Sequence, residues 1–349
     1  MNKIYHKLSL LAAAVLTTGA VWAGNPDRQG EAGANQLLLN PWARSAGLHS
    51  LNTSSVTGSE AMYLNVAGLG RLTTSTQLQL GNTRYLQGAD LGINALGFAR
   101  KIGSGAFGVS LVSMDMGDFE FTTENNPEGT GTTFSPSFFN LGLSYSHVFS
   151  NKVSVGITAK VVNESANSVG ARALALDAGV QYVSGENDNF KFGISLRNIG
   201  SKMRFTGEGL SKQLPNPGPN FQYNNTYYER SAYYELPSQL NIGASYDWLL
   251  GRNSRLTVLG NFASNAFSRD QLGLGTEFKL KDLVALRAAY KIELDADEVE
   301  RTLDNGFSGG FTVNLPTRKG SDSRLGLDYS YRTTFIYGGI HNVGLRFEF

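Results

Sequence analysis

The sequence predicts an all-β fold: a transmembrane antiparallel β-barrel of about fourteen strands behind an N-terminal plug-like segment. Three observations carry that prediction. Ten or more segments of about ten residues alternate apolar and polar positions, which is the period of a strand and the length a tilted membrane strand requires. The connections between them sort into short and long sets by parity, as the two ends of an outer-membrane barrel do. Beyond its first residues the chain has no apolar run of 18 or more, so no helical span is expected. An exported chain without helical spans crosses lipid only as a closed barrel.

Residues 1–23 read as a secretory signal peptide. Lys3 and Lys7 give the basic start, Leu8 to Val21 is apolar, and Val21-Trp22-Ala23 places small residues at −3 and −1 before Gly24. The chain contains no Cys, which excludes disulfides, thiol chemistry and a cysteine-borne lipid anchor. Residues 24–71 are too apolar for a free tail, notably around Asn35 to Gly47, and are expected to lie inside the barrel or to cap its periplasmic mouth. Residues 72–349 form the barrel. A barrel of fourteen strands is wide enough to leave a lumen that such a segment can occupy.

Strands are expected at 72–80, 89–101, 105–114, 139–146, 153–161, 171–183, 190–197, 240–248, 254–266, 272–280, 284–292, 305–315, 325–332 and 341–349. The last is the clearest. His341, Val343, Leu345, Phe347 and Phe349 share one face, and Asn342, Gly344, Arg346 and Glu348 share the other. The apolar faces are assigned to outer-membrane lipid. Glu277, Lys279, Arg287, Lys291, Asp328 and Arg332 lie on opposite faces, which suits a wet lumen better than a sandwich core. Short turns such as Ser150-Asn151 and Lys281-Asp282 follow even strands, and the long connections at about 115–136, 200–236 and 294–304 follow odd ones. This parity puts both termini in the periplasm and the long loops outside, and gives the outer membrane as the location.

Charge excludes some partners. The formal net charge is +1, and removing residues 1–23, which hold two Lys and no acid, leaves −1. So balanced a chain gives no support for nucleic-acid binding.

Two short stretches resemble the PorV/PorQ family of Bacteroidetes outer-membrane proteins, whose fourteen-stranded barrel is of the fatty-acid-transporter (FadL-like) type. Ala43-Arg44-Ser45-Ala46-Gly47 stands where that family has A-R-x-x-x-M-G, and Glu60-Ala61-Met62-Tyr63-Leu64-Asn65-Val66-Ala67-Gly68-Leu69 stands where it has an acidic residue and N-P-A-G-L. Val66 replaces the usual Pro. Met203 to Leu210, following Leu196 to Gly200, is similar to the family's loop entry. The resemblance implies a part in type IX secretion, binding or shuttling secretion-system subunits or cargo C-terminal signal domains at the cell surface. The alternative is a FadL-like transporter of hydrophobic small molecules, with a hydrophobic ligand in the lumen that leaves through a lateral gap.

Candidate partner-binding residues are Phe221, Tyr223, Tyr227, Tyr228, Tyr233 and Tyr234, crowded into one long loop. Aromatic rings give large contact area at modest entropy cost; the competing reading is an aromatic girdle. Asp295, Asp297, Glu298 and Glu300 lack the glycine of a calcium loop and read as a solvated surface, so no metal or cofactor is expected. His49, His147 and His341 stand outside any G-x-S-x-G or H-E-x-x-H pattern, so no enzyme activity is expected. Gly273, Gly275, Gly309 and Gly310 lack a strand–loop–helix context and read as barrel glycines, not a phosphate loop.

Overall fold

The computed structural model describes residues 24–349 apart from 87, 89–90, 217–222, 252, 295–301 and 318–322. Fourteen strands close into one antiparallel barrel. In chain order they are β1 (Thr76–Tyr85), β2 (Leu91–Ile102), β3 (Gly105–Asp115), β4 (Ser137–Phe149), β5 (Val153–Ala166), β6 (Val169–Ser184) and β7 (Phe190–Gly200). There follow β8 (Gln239–Leu249), β9 (Ser254–Asn265), β10 (Gln271–Leu280), β11 (Val284–Glu293), β12 (Asp304–Pro316), β13 (Arg324–Thr334) and β14 (Ile340–Glu348). Each strand pairs with its chain neighbours, and β14 closes the cylinder against β1 through partners such as Leu80 and Leu345. Closure leaves the barrel no unpaired edge, as the hydrocarbon layer demands.

The two-residue rhythm becomes an inside and an outside. Leu274 is 67% exposed and Ile157 51%, facing lipid, whereas Gln79 and Thr158 are fully buried facing the lumen. Ser150-Asn151 and Lys281-Asp282 turn with two consecutive positive φ values each, the hairpin geometry that matches strand twist. The long connections, 116–136 and 201–238, leave from the opposite end and carry small hairpins of their own, Phe119–Glu120 with Thr133–Phe134 and Ser211–Pro215 with Asn224–Tyr228. The acidic positions 295, 297, 298 and 300 lie outside the described residues, as do residues 1–23 and Phe221.

Two expectations need revision. The first strand begins at Thr76, not at 72, because Val66–Arg71 form a 3₁₀ turn and Leu72 is buried beneath the barrel's short-turn end. The Asn65 side chain accepts from Ala67 N and caps that turn. The second revision concerns the N-terminal side. Gly24 lies at the long-loop mouth, where its N donates to Asp270 Oδ2 at 2.8 Å in the β9–β10 connection. Strand parity fixes only which end β1 starts from. The residues ahead of it, with a reach of roughly 3.3 Å each, are long enough to thread the lumen from one mouth to the other.

Candidate functional site: a plugged lumen with a thin wall sector

Residues 34–72 lie inside the barrel, largely buried against its wall. Their backbone packs so closely on the wall that only glycine fits at several wall positions. A Cβ at Gly156 would lie 2.7 Å from Val66 O, and one at Gly179 would lie 2.0 Å from Asn65 Oδ1. Val66, where the resembling family has Pro, is itself buried against this wall.

The two motif stretches meet at one buried carboxylate. Glu60 accepts from Ser45 N at 3.1 Å, Ser45 Oγ at 2.6 Å and Gln79 Nε2 of β1 at 2.8 Å. The Arg44 guanidinium stands 3.8 Å away. A buried carboxylate needs this full set of donors. Asn65 plays the same part lower down, donating to Thr53 O at 2.9 Å and to Val180 O of β6 at 3.1 Å. The short-spaced motifs are therefore the pins that hold plug to barrel.

Above these pins, toward the long loops, a void of about 20 Å³ remains. Leu37, Leu39, Trp42, Met62, Tyr63 and Val112 line one side of it, and Lys160, Asp177 and Arg197 the other. That is room for about one water molecule between plug and wall. The polar side arises from a β-bulge. The β6–β7 register shifts between Leu176 and Ala178, so Arg197 and Asn198 both turn inward, Asn198 at φ 59°. Asp177 Oδ1 then accepts from Asn198 N at 2.7 Å, and Lys160 Nζ reaches Asp177 Oδ2 at 2.8 Å and Asn198 Oδ1 at 2.5 Å. Arg197 stacks over the Tyr63 ring at 4.0 Å and donates to Leu37 O at 3.2 Å. Sequence reading placed Arg197 and Asn198 at a strand end and Lys160 and Asp177 within strands. The signal that could have found them is the broken alternation at Arg197-Asn198, two adjacent polar residues where one should be apolar.

Below the pins a polar vestibule of about 830 Å³ opens toward the short turns. Its charges are largely paired: Lys191 with Asp247 at 2.7 Å, Arg287 with Glu277 at 2.6 Å, and Arg346 with Glu348 at 2.5 Å. Of the lumen-facing charges expected from sequence, Lys279 and Arg287 pair with Glu277, Arg332 with Asp304, and Asp328 with Arg346.

One sector of the wall is thin. On the outer face of β1–β3 and β14 an indentation of about 410 Å³ is lined by Leu80, Ala95, Leu96, Leu111, Val343 and Leu345, with Gly81 at its base. Behind it, inside, stand Pro41 and Trp42. A Cβ at Gly81 would meet Pro41 O at 2.8 Å, and one at Gly97 would meet the Trp42 ring at 3.0 Å. Asn82 and Asn94 point outward at its rim, and Asn82 Nδ2 donates to Asn94 Oδ1 at 2.8 Å, which pairs one group of each amide. The β1–β2 and β2–β3 ladders are unbroken here.

The aromatic loop divides. Tyr227 and Tyr228 lie on the hairpin formed by Ser211–Pro215 and Asn224–Tyr228, and Tyr223 directly precedes it; all three are exposed, as is Tyr233. Tyr228 Oη donates to Glu208 at 3.0 Å, and Arg204 stacks over Tyr233 at 5.0 Å. Tyr234 goes the other way. It is half-buried, its hydroxyl donates to Glu164 Oε2 at 2.5 Å, and it packs against Ala34, Leu37 and Met203. Glu164 also accepts from Gln36 at 2.8 Å, so Tyr234 stitches loop to plug instead of joining the outward surface.

The histidines do not converge. His49 is buried in the plug, while His147 and His341 sit on the lipid face beside Tyr145 and Tyr329, at 3.4 and 2.9 Å. Among the described residues no cluster of three or more His, Asp or Glu is placed to hold a metal, and no helix is long and apolar enough to cross a membrane.

No protein-family model and no curated protein sequence matches the chain. Solved structures do. The toluene transporter TodX of Pseudomonas putida is 15% identical, with 84% of this chain and 94% of that one covered at a TM-score of 0.51. The toluene transporter TbuX of Ralstonia pickettii is 12% identical, with 88% and 97% covered at 0.53. The monoaromatic hydrocarbon channel CymD is 12% identical, with 87% and 95% covered at 0.52. At these identities the likeness is one of fold, and the protein is an outer-membrane barrel of the FadL-like type.

Proposed function

We propose that this barrel carries small hydrophobic molecules across the outer membrane, with no covalent chemistry of its own. A molecule enters at the long-loop mouth, lodges between plug and wall beside Trp42, Met62 and Tyr63, and leaves sideways into the bilayer through the β1–β2 sector. The observation that carries this reading is the thin wall. Gly81 lines an apolar indentation on the lipid face, and a Cβ there would lie 2.8 Å from Pro41 O and 3.5 Å from the Trp42 ring of the plug. Transport by the fold's neighbours TodX, TbuX and CymD supports it. Because the void beside Trp42, Met62 and Tyr63 is only water-sized, lodging there requires the plug to shift. The test is uptake of toluene and of a long-chain fatty acid by cells carrying or lacking the barrel. Uptake of at least one should depend on it, and equal uptake of both with and without it overturns the reading.

A second reading is favoured by the exposed tyrosines. On it the barrel is a PorV/PorQ-like component of type IX secretion whose hairpin, through Tyr223, Tyr227, Tyr228 and Tyr233, receives secretion-system subunits or cargo C-terminal signal domains. Deleting residues 211–228 should then abolish co-purification of such partners from native membranes, whereas unchanged co-purification removes the hairpin from the reading.

A further inference from the structure

Residues 24–33 form a strap across the long-loop mouth. Ala32 bridges Glu235 in parallel register, Gly33 N donates to Glu235 O at 3.0 Å, and Arg28 stacks over the Phe267 ring at 4.3 Å. The outer end of the strap is Gly24. Its nitrogen lies 2.8 Å from Asp270 Oδ2, and Asp270 is only 6% exposed. The fit admits no side chain, since a Cβ at Gly24 would meet Asp270 Oδ1 at 2.6 Å and Asp270 N at 2.9 Å. Asp270 is held in turn, Oδ1 accepting from Asn265 N at 3.3 Å. A buried carboxylate is best matched by a cation, and the atom it faces belongs to the residue that follows the Val21-Trp22-Ala23 cleavage pattern.

We infer that Asp270 is a built receptor for the α-ammonium of a processed N-terminus at Gly24. A leader peptidase and one water hydrolyse the Ala23–Gly24 peptide bond. The carbonyl carbon of Ala23 takes the hydroxyl and leaves as a carboxylate, and the Gly24 nitrogen takes protons to become an ammonium. The 2.8 Å amide contact then becomes a charge-assisted bond that staples the strap, and the plug behind it, to the β9–β10 connection. Processing and plug closure are thereby coupled: cleavage turns the Gly24 nitrogen, which already donates to Asp270 Oδ2, into a cation.

The experiment uses the full-length protein expressed, exported and purified in detergent. Mass spectrometry of the intact chain should give Gly24 as its first residue. The α-amine is then labelled at pH 7 with a limiting amine-acylating reagent, in wild type, Asp270→Asn and Gly24→Ala, with heat-modifiable gel migration reporting barrel folding. A free α-amine titrates near 8, and an adjoining carboxylate raises that value, leaving less of the reactive neutral form. Labelling should rise at least about tenfold in Asp270→Asn, one unit of pKa. It should rise also in Gly24→Ala, whose Cβ displaces the contact. A mature chain beginning elsewhere than Gly24, or equal labelling in folded wild type and both variants, overturns the inference.

Discussion

Replacing Glu60 by Ala tests whether one carboxylate holds the plug. Glu60 is 1% exposed and accepts three hydrogen bonds between 2.6 and 3.1 Å, two from Ser45 and one from Gln79 of the wall. Removing it leaves the buried Ser45 N–H without its acceptor and takes the facing charge from Arg44, which lines the polar vestibule. Each hydrogen bond to a charged group is worth about 1.5–3 kcal/mol. Breaking a buried charge pair from one side costs about 3–5 kcal/mol. The costs overlap, because Arg44 lines the vestibule and can take water there, so about 3–5 kcal/mol is the expected loss of plug docking. That corresponds to about two to three and a half powers of ten in the docked-to-undocked ratio. The barrel itself should survive, since its ladders do not involve Glu60. Limited trypsin digestion in detergent reads the effect, because Arg44 is shielded inside the lumen while the plug is docked and cleavage follows the open population when opening is fast. Heat-modifiable gel migration checks the barrel in the same samples. Glu60→Gln, which keeps shape and two hydrogen-bonding groups, should fall between wild type and Glu60→Ala. Unchanged cleavage at Arg44 in a folded Glu60→Ala barrel would refute the idea that this cluster pins the plug.

Three other outcomes are expected. A Cβ at Gly344 of β14 would lie 3.6 Å from Ala43 Cβ, a spacing that suits a disulfide, and the chain has no other cysteine. Ala43→Cys with Gly344→Cys should therefore lock the plug, stop uptake when oxidised and restore it on reduction; full uptake with the bond formed would show that the plug need not move. Gly179→Ala drives a methyl into Asn65 Oδ1 and should cost about 1–3 kcal/mol, read as a lowered denaturation midpoint of the plug. At the strap, hydrogen bonding to Lys202 is the main cause holding the Glu235 carboxyl below its ordinary value, with the charges of Lys202 and Arg28 adding to it. A depressed folded pKa gives stability that is present above the ordinary carboxylate value and lost as pH falls through the folded one. Hydrogen exchange at Gly33 N–H, corrected for its intrinsic rate, should therefore accelerate in acid below that range and not between pH 6 and 8.

Much of the barrel was legible because its code is local. A two-residue alternation states which side chains meet lipid, as Leu143, Ile157 and Leu274 do, and paired turn residues such as Ser150-Asn151 state where a strand reverses. Counting such segments gave fourteen strands, and loop parity placed the long connections at one end. The start of β1 was misjudged by four residues because Leu72, apolar and in phase with the strand, is buried beneath the plug's last turn and faces no lipid. The motif stretches were visible as patterns, but nothing in them told that Ser45 and Glu60 would meet, or that Asn65 would reach Val180.

What the sequence by itself determined is the wall: a cysteine-free chain whose period of two makes one closed sheet with a greasy exterior. What only the tertiary structure decided is the contents of the cylinder. Lumen-facing polar residues are chemically competent to bind water, a solute or one another, and their neighbours exist only after closure brings strands from opposite sides around the same plug. The contacts that define the interior, Gly24 with Asp270, Gln79 with Glu60 and Lys160 with Asp177, join residues between 17 and 246 positions apart. Alternation along a strand says that such a side chain points inward, and carries no information about what waits there.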